Sequence, residues 1–356
     1  MNVLRLELKN YRNYTDEVFS FSENTNIIYG DNAQGKTNAL EALYVFALGK
    51  SFRTTQDKEL IKFGEDFTKI LLTYCDSFRE NNIEITILKD KKKQVKVNGV
   101  GIRRLSELIG KLNVVLFSPS ELNLIKGGPQ MRRRFLDIAI SQLRPNYCHL
   151  LDRYAKTLEQ RNNLLRKIKY EKFSPDTLFI WNEKLAEYGE QIIRYRIKYA
   201  EQISEFAQNI HAEICSDVLN VSYKPKYKTK EELLERLEND TKREIEQGFT
   251  LYGPHRDDIT ITVSGNDAKL YASQGQQRTA VLSLKLAQSE LIFNETGERP
   301  VLLLDDIMSE LDLSRRTYLT DKISNGQVII TCTDAEIVSG HKNAKKIRIT
   351  NGKITD

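Results

Sequence analysis

The sequence lacks the features that are usual in secreted proteins, in proteins stabilised by a bound metal and in membrane proteins. Its four cysteines, Cys75, Cys148, Cys215 and Cys332, are scattered without paired spacing, which excludes a zinc site or a disulfide framework. No apolar run approaches the roughly 18 residues that span a bilayer. The N-terminus, MNVLRLELKN, alternates apolar and charged residues and has no signal-peptide core. These absences predict a cytoplasmic protein.

The charge balance is only mildly basic. The 356 residues include 54 Lys and Arg against 49 Asp and Glu, a net charge of +5 that suits a polyanionic partner without requiring one. Basic residues cluster at Lys89–Lys96, Ile102–Arg104 and Met131–Arg134. Each cluster is either solvated surface charge or part of a polyanion-binding surface. A hydrophobic fraction of 40% predicts a globular chain, and a length of 356 residues allows two compact modules or one domain with a large insertion.

The pattern of apolar residues predicts an α/β protein with a mixed sheet and an inserted helical segment. Strand patterns precede the segment, for example NIIYG and NVVLFS, and others follow it, namely VLLLDD, QVIIT and KIRIT. This arrangement predicts one sheet assembled from both ends of the chain. We expect a head N-terminal lobe at 1–128, a helical arm at 129–217 and a head C-terminal lobe at 218–356.

The arm is predicted to be helical, with a break at Ser174-Pro175. Its second half carries apolar residues in alternating steps of three and four, which is a heptad pattern: Leu178, Trp181, Leu185, Tyr188, Ile192, Tyr195 and Tyr199. A weaker pattern in the first half is interrupted by Arg161. Two such helices predict an antiparallel coiled-coil hairpin that projects as an arm, and an ordinary helical subdomain is the alternative.

A phosphate-binding loop is the clearest motif. The residues GDNAQGKT fit the template G-x-x-x-x-G-K-[ST], between an apolar strand and an amphipathic helix. Glycines at both ends allow successive N–H groups to face phosphate oxygens, while the lysine reaches the β- and γ-phosphates and the threonine hydroxyl binds Mg²⁺. The candidate nucleotide ligands are Gly30, Asp31, Asn32, Ala33, Gln34, Gly35, Lys36, Thr37 and Asn38.

Two acids follow a buried strand late in the chain. Asp305 is placed to hold Mg²⁺, directly or through water, and Asp306 to accept a proton from the attacking water. Asp306 and Lys36 are the predicted catalytic residues. The long separation from the phosphate loop excludes the compact plan of a small-molecule kinase or G-protein, and predicts a split ATP-binding head.

A second anion-binding helix start is predicted at ASQGQQR. Ser273, Gly275 and Gln276 lie where a long helix begins, and Ser273 can donate a hydroxyl hydrogen bond. Simple N-capping by Ser273 is the plainer interpretation. One nucleotide needs only one phosphate loop, so the second site makes sense if it caps the γ-phosphate of ATP held by another copy of the chain.

The motifs resemble those of ABC-type ATPases in the branch that handles DNA, with SMC, Rad50 and RecN. Here SQGQQ matches the signature motif and SELD (Ser309–Asp312) matches the D-loop. Within that branch the chain is most similar to the RecF family of bacterial recombination mediators. The matching segments span nearly the whole chain: LKNYRNY, GKSFRT, FSPSELNLIKGGPQMRRRFLD, YAKTLEQRNNLL, YGPHRDD, SQGQQR and LLLDDIMSELD.

This resemblance implies an ATP-dependent homodimer on DNA, with two ATP molecules sandwiched between heads. It implies binding near gaps, cooperation with RecR and RecO to load RecA, and roles in DNA repair, replication, recombination and the SOS response. Arg12 and Asn13 become candidates for the base or α-phosphate side of the nucleotide. Transporters usually have glutamate where this chain has Asp306, so we expect slow, DNA-stimulated hydrolysis that serves as a switch.

Some assignments stay open at this stage. The segment Tyr252–Asp258 has two interpretations. Either His255 and Arg256 contact a protein interface or DNA, or the segment is a structural turn. The candidate DNA contacts are Arg53, Arg103, Arg104, Arg132–Arg134, Lys156, Arg166 and Lys167. A DNA-tethering ATPase of the SMC type is the main alternative, although an arm of this length reaches only about 50 Å. A transporter subunit and a small-molecule phosphotransferase fit less well.

Overall fold

The computed structural model describes residues 1–335 and 344–355. Its strands are β1 (Asn2–Tyr11), β2 (Tyr14–Ser20), β3 (Thr25–Tyr29), β4 (Phe67–Cys75), β5 (Glu80–Leu88), β6 (Gln94–Val97), β7 (Val100–Ile102), β8 (Val114–Phe117), β9 (Leu219–Tyr223), β10 (Ile259–Val263), β11 (Asn266–Asp267), β12 (Val301–Asp305), β13 (Val328–Cys332), β14 (Lys345–Thr350) and β15 (Lys353–Ile354). Its helices are α1 (Lys36–Leu48), α2 (Asn123–Lys126), α3 (Pro129–Leu143), α4 (Pro145–Glu171), α5 (Leu178–Ile214), α6 (Lys230–Asn239), α7 (Thr241–Gln247), α8 (Gln274–Thr296) and α9 (Leu313–Lys322).

Two compact units make up the chain. The first contains Met1–Leu122, Ile210–Ser216 and Val281–Asp356, and the second contains Asn123–Asn209 and Asp217–Ala280. The predicted mixed α/β fold with a helical insertion is confirmed. The division into three segments at residues 128 and 217 stays a prediction. Every described helix is too short or too polar to cross a membrane.

An antiparallel sheet of the first unit has the order β2-β1-β4-β5-β6-β7. In β1 the side chains of Leu6 and Leu8 are buried, whereas those of Arg5 and Lys9 are exposed, as the alternating sequence predicts. The turn at Asn98-Gly99 has positive φ at both residues, 49° and 79°, which matches the twist of the two strands it joins. One face of β1 is therefore buried in the core of the unit.

The second sheet of this unit has the order β15-β14-β3-β13-β12-β8 and is the one that holds the site. Five of its strands are parallel neighbours, and β15 pairs antiparallel with β14. Strands β8, β12 and β13 are mostly apolar and every residue in them is buried, as expected for parallel strands with both faces covered. The sheet is assembled from both ends of the chain, as predicted. The expectation of a single sheet is wrong, since the alternating strands form sheets of their own.

Helix α1 lies between the two sheets of the first unit. It packs against β8, β12 and β13 on one side and against β4 on the other. Apolar side chains therefore surround it almost completely, from Ala39 to Leu48. Burial of this kind fixes the helix start, Lys36, at the carboxyl edge of the parallel strands.

The second unit is mainly helical, with the small antiparallel sheet β11-β10-β9. Where α4 ends and α5 begins, Leu164 and Leu165 pack with Leu178. Arg161 is buried on α4 and pairs with the buried Glu244 of α7, at 2.5 Å between Nη2 and Oε2. The interruption of the heptad pattern is thus the place where α7 packs against α4. The insertion holds more helices than the predicted pair.

Candidate nucleotide-binding site

The loop between β3 and α1 adopts a backbone that needs glycine at both ends. Gly30 has φ +146° and Gly35 has φ +119°, both in the left-handed region. A Cβ atom on Gly30 would lie 2.3 Å from the carbonyl oxygen of Ile349, and one on Gly35 would lie 2.6 Å from Nδ2 of Asn13. The two glycines of the motif are therefore required by the close approach of neighbouring segments.

The backbone N–H groups of the loop are available to an anion. Within the described part of the chain, the N–H groups of Asp31–Ala33 and of Gly35–Thr37 donate no hydrogen bond. These donors lie at the start of α1, where the helix dipole adds positive potential. Asp31, Asn32 and Ala33 are exposed at the loop tip, whereas Gly35 and Lys36 are buried. A run of unpaired donors with this geometry fits a bound phosphate group.

The ammonium group of Lys36 is held at the loop itself. Its Nζ donates to the carbonyl oxygens of Gly30 at 2.6 Å and Asp31 at 2.8 Å. Burial lowers the pKa of Lys36, and the nearby carboxylates of Asp306 and Asp31 act in the opposite direction. The lysine is thus positioned to offer a localised positive charge at the mouth of the loop.

Thr37 and Asp305 form the candidate metal site. The hydroxyl of Thr37 donates to Oδ1 of Asp305 at 2.8 Å, and the hydroxyl of Thr331 donates to the same oxygen at 2.9 Å. Asp305 is buried, and burial raises the pKa of its carboxyl group. Hydroxyl and carboxylate oxygens are the ligands that Mg²⁺ prefers. The donor set fits a magnesium ion held by Thr37 and Asp305.

Asp306, the next residue, faces solvent. Its backbone is left-handed, with φ 51°, and its N–H donates to the carbonyl oxygen of Thr331 at 3.2 Å and to its hydroxyl at 3.1 Å. The carboxylate accepts from the hydroxyl of Ser309 at 3.3 Å, a long contact. An exposed carboxylate beside the metal ligand can take a proton from water.

Residues that follow β1 brace the loop from outside. Nδ2 of Asn13 donates to the carbonyl oxygen of Gln34, and Nδ2 of Asn38 donates to Oδ1 of Asn13, both at 2.8 Å. The hydroxyl of Tyr14 donates to the carbonyl oxygen of Gly35 at 2.9 Å. Asn13 therefore shapes the loop in this structure, and its predicted contact with nucleotide stays a prediction.

Arg12 is joined to a buried carboxylate on α1. Its guanidinium donates twice to Glu41, at 2.9 and 2.7 Å, and Glu41 has no exposed surface. The hydroxyl of Ser51 donates to Glu41 at 2.5 Å, and Nη1 of Arg53 lies 3.6 Å from it. Arg53 also donates to Oδ1 of Asn38 at 2.7 Å. Glu41 thus gathers two arginines near the loop.

The second predicted anion site lies in the second unit, at the start of α8. Ser273 is exposed, while Gly275 and Gln276 are half-buried. The N–H of Ser273 donates to Oε1 of Gln276 at 2.9 Å, and the N–H of Gln276 donates to Oγ of Ser273 at 3.2 Å. This is a capping box, so Ser273 caps the helix and also presents its hydroxyl at the surface. Nε2 of Gln276 donates to Asp217 at 3.0 Å.

The segment Tyr252–Asp258 connects several elements of the second unit. The hydroxyl of Tyr154 and Nδ1 of His255 lie 2.7 Å apart, and Arg196 donates to the carbonyl oxygen of Pro254 at 2.7 Å. Asp257 accepts from the hydroxyl of Tyr223 at 2.6 Å. These contacts favour the structural interpretation for His255, whereas Arg256 is exposed.

The arginine triplet of α3 is divided between the interior and the surface. Arg132 is buried and donates to both carboxylate oxygens of Asp258, at 2.7 and 2.8 Å. Arg133 donates to the carbonyl oxygen of Asp257 at 2.6 Å, and only Arg134 is fully exposed. The expected internal salt bridge is present, and Arg134 is the member of the triplet with an exposed side chain; its contact with DNA stays a prediction.

Sequence reasoning missed Glu41 and Thr331. Thr331 is the next-to-last residue of β13, which lies between β3 and β12, so its hydroxyl reaches both consecutive acids. The register of β13 beside β12 pairs Asp305 with Thr331, and a threonine at the end of a buried strand is the only sequence signal. Glu41 is a charged residue within an otherwise apolar helix, which could have marked it as paired.

Known proteins resemble this chain over its full length. The family model described as the RecF/RecN/SMC N terminal domain matches residues 2–356. The DNA replication and repair protein RecF of Clostridium perfringens strain 13 is 42% identical, with 99% of each chain covered. The RecF of Acetivibrio thermocellus is 43% identical over 95% of this chain and 94% of its own length.

Solved structures agree with these relatives. A structure described as the recombination mediator protein RecF-ATP in the RecFOR pathway is 38% identical, with a TM-score of 0.92. The match covers 99% of this chain and 97% of the chain in that structure. An SMC head bound to the C-winged helix domain of ScpA has a TM-score of 0.59 at 16% identity, covers 100% and 97% of the two chains, and supports the fold alone.

Proposed function

Because the chain belongs to the RecF family of DNA replication and repair proteins, we propose that it is an ATP-dependent recombination mediator. One observation carries this proposal: the phosphate loop, Thr37 and Asp305 meet at one edge of the parallel sheet. The similar RecF structure with ATP supports the choice of nucleotide. We take 1–128 and 218–356 as the lobes of the ATPase head and 129–217 as its helical arm.

In the proposed reaction the N–H groups of the loop from Gly30 to Thr37, together with the side chain of Lys36, bind the phosphates. Thr37 and Asp305 would hold Mg²⁺, which supplies charge neutralisation on the β- and γ-phosphates when bound. Asp306 orients the attacking water and accepts its proton. We assign Arg12 and Asn13 to the base or α-phosphate side, where Glu41 positions the guanidinium of Arg12.

We propose that two heads complete each site together. Ser273, Gly275 and Gln276 of one protomer would contact the γ-phosphate of ATP bound by the other, making ATP the link between them. The exposure of Ser273 at the start of α8 supports this role. Asp306 is one methylene shorter than a glutamate, so hydrolysis is slow and sets the lifetime of the dimer.

The description of a similar solved structure as RecF in the RecFOR pathway supports the partners that we propose. We propose that the dimer binds DNA at gaps or at junctions of single and double strands, and supports RecA loading with RecR and RecO in the cytoplasm during repair, replication, recombination and the SOS response. A tethering role of the SMC type is less well supported, because helices of 27 and 37 residues extend only about 40 and 55 Å.

Sizing the protein over a range of concentrations tests the dimer directly. With Mg²⁺ and a non-hydrolysable ATP analogue, we expect the 41.2 kDa chain to dimerise. Ser273→Arg should retain nucleotide binding and stay monomeric, whereas Ser324→Arg, at an exposed serine of the first unit, should behave as the parent. A parent chain that stays monomeric when saturated would overturn the proposal.

ATP turnover with and without DNA tests the second part. We expect turnover to rise with DNA and with protein concentration, and DNA affinity to fall steeply with salt because the contacts are mainly to phosphate. Turnover that is indifferent to DNA, or a flat salt response, would contradict a DNA-dependent ATPase.

A further inference from the structure

The turn between α4 and α5 carries aromatic and basic side chains that are exposed in the second unit. We define the hairpin tip as Lys167–Ile180. Leu178 anchors it by packing with Leu164 and Leu165. The turn is closed by hydrogen bonds from the N–H of Phe173 to the carbonyl oxygen of Lys167 at 3.5 Å, and from the N–H of Leu178 to that of Pro175 at 2.8 Å.

The outer side of the hairpin tip is aromatic. The side chain of Tyr170 is 72% exposed, that of Phe173 52% and that of Phe179 60%. Ile180 beside them is 41% exposed. Exposed apolar side chains concentrated in one short segment indicate a binding surface, whereas single ones are common on any protein.

Positive charge is interleaved with these rings. Lys167, Lys169 and Lys172 are exposed, and none of them forms an ion pair with a described residue. Nζ of Lys169 lies 4.9 Å from the centre of the Tyr170 ring. The hairpin tip contains two acids, Glu171 and Asp176, so its balance is positive. A polyanion with flat, apolar groups would complement both the lysines and the rings.

We infer that the hairpin tip binds single-stranded DNA. Unpaired bases can stack on exposed aromatic rings while lysines contact the phosphates, whereas a duplex keeps its bases stacked inside and gains nothing from the rings. The inference rests on the proposed function, because it assigns the single-stranded part of the DNA to a surface of its own. The centre of a protein-binding surface is normally depleted of lysine, which makes a protein partner the weaker choice.

Trp181 offers a direct reporter of this surface. It is the one tryptophan of the chain and packs against the cluster of Leu164, Leu165 and Leu178 at the hairpin tip. Binding of the oligonucleotide dT20 to the full-length protein should quench its fluorescence, and the anisotropy of labelled dT20 should report affinity. A 20-base-pair duplex serves as the second probe.

The triple variant Tyr170→Ala/Phe173→Ala/Phe179→Ala should bind dT20 at least about tenfold more weakly, since each stacked base contributes substantially to affinity. Its affinity for the duplex should match that of the parent. Tyr170→Phe/Phe173→Tyr/Phe179→Tyr, which keeps all three rings, should restore binding to dT20. Phe63→Ala/Phe78→Ala, which removes two exposed rings of the first unit, should have no effect.

The outcomes separate this inference from the proposed function. Equal binding of dT20 by the parent and the triple variant would overturn the inference while leaving duplex binding in place. A parent that binds neither probe would overturn both. A triple variant that changes the self-association of the protein, with unchanged affinity for dT20, would identify the hairpin tip as a protein interface and reject the DNA assignment.

Discussion

The hydroxyl of Thr37 and the carboxylate of Asp305 lie 2.8 Å apart although 268 positions separate them in the chain. The contact exists because β3 and β12 are parallel and both end at the same edge of the sheet, with β13 between them. Thr331 of β13 holds the same carboxylate oxygen at 2.9 Å. The sheet itself therefore brings together the two residues that we propose as magnesium ligands.

Removing the charge of Asp305 should uncouple nucleotide binding from magnesium. Asp305→Asn keeps the shape of the side chain but loses the anionic ligand, so we expect ATP affinity in Mg²⁺ to fall by roughly tenfold or more. A fluorescent ATP analogue titrated in Mg²⁺ and in EDTA measures this. In EDTA the variant and the parent should bind alike, and an undiminished magnesium effect would exclude Asp305 as the ligand.

Asp306 should control hydrolysis and leave binding intact. Asp306→Asn cannot accept a proton, so ATP should bind normally and the ATP-dependent dimer should persist longer. Asp306→Glu extends the carboxylate by one methylene and should hydrolyse ATP faster than the parent. Turnover and dimer lifetime are the measurements. If Asp306→Asn hydrolyses ATP at the parental rate, another group is the base.

Glu41 should stabilise the first unit through its buried pairing. Glu41→Gln leaves the guanidinium of Arg12 against a neutral partner, and we expect a loss of about 3 kcal/mol in the free energy of unfolding. The matched control is Glu84→Gln, a more exposed carboxylate paired with Lys69 and Lys96, which should cost under about 1 kcal/mol. Equal losses in urea titrations would show that burial of Glu41 is not what matters.

His255 should make the second unit less stable in mild acid. Burial lowers its pKa to about 4, from an ordinary value of 6.5. Between pH 6.5 and 4 the unfolded chain binds a proton at His255 that the folded chain does not, so stability falls as pH falls. From pH 7 to 5 the loss should be about 2 kcal/mol.

His255→Gln provides the control for this effect, because it removes the titrating ring. Urea unfolding of both proteins at pH 7 and pH 5 should show a smaller acid loss in the variant. An identical loss in the two proteins would assign the acid sensitivity to groups other than His255.

Short-range patterns predicted much of what the structure contains. The loop from Gly30 to Thr37, the strand before it and the helix after it follow from residues adjacent in sequence. The alternation in β1 and the turn at Asn98-Gly99 are equally local. Such features are encoded within a few residues, where backbone preference and the period of burial act directly.

The interrupted heptad at Arg161 illustrates the limit of that reasoning. In the sequence the arginine interrupts a heptad pattern of apolar residues. In the structure its guanidinium donates hydrogen bonds to Glu244, Asn182 and Thr250. These partners lie far from Arg161 in the chain or on another helix. A pattern read along one helix cannot indicate them, because the energy of a buried ion pair depends on what packs opposite.

Order along the chain settled which groups are available for chemistry: a glycine loop with its lysine and threonine, two consecutive acids after an apolar strand, and a serine at the start of a long helix. Packing in three dimensions settled which of them meet. Thr331 joins Asp305 and Asp306, and Glu41 holds Arg12, because parallel strands and a helix buried between sheets bring together side chains that sequence distance keeps apart.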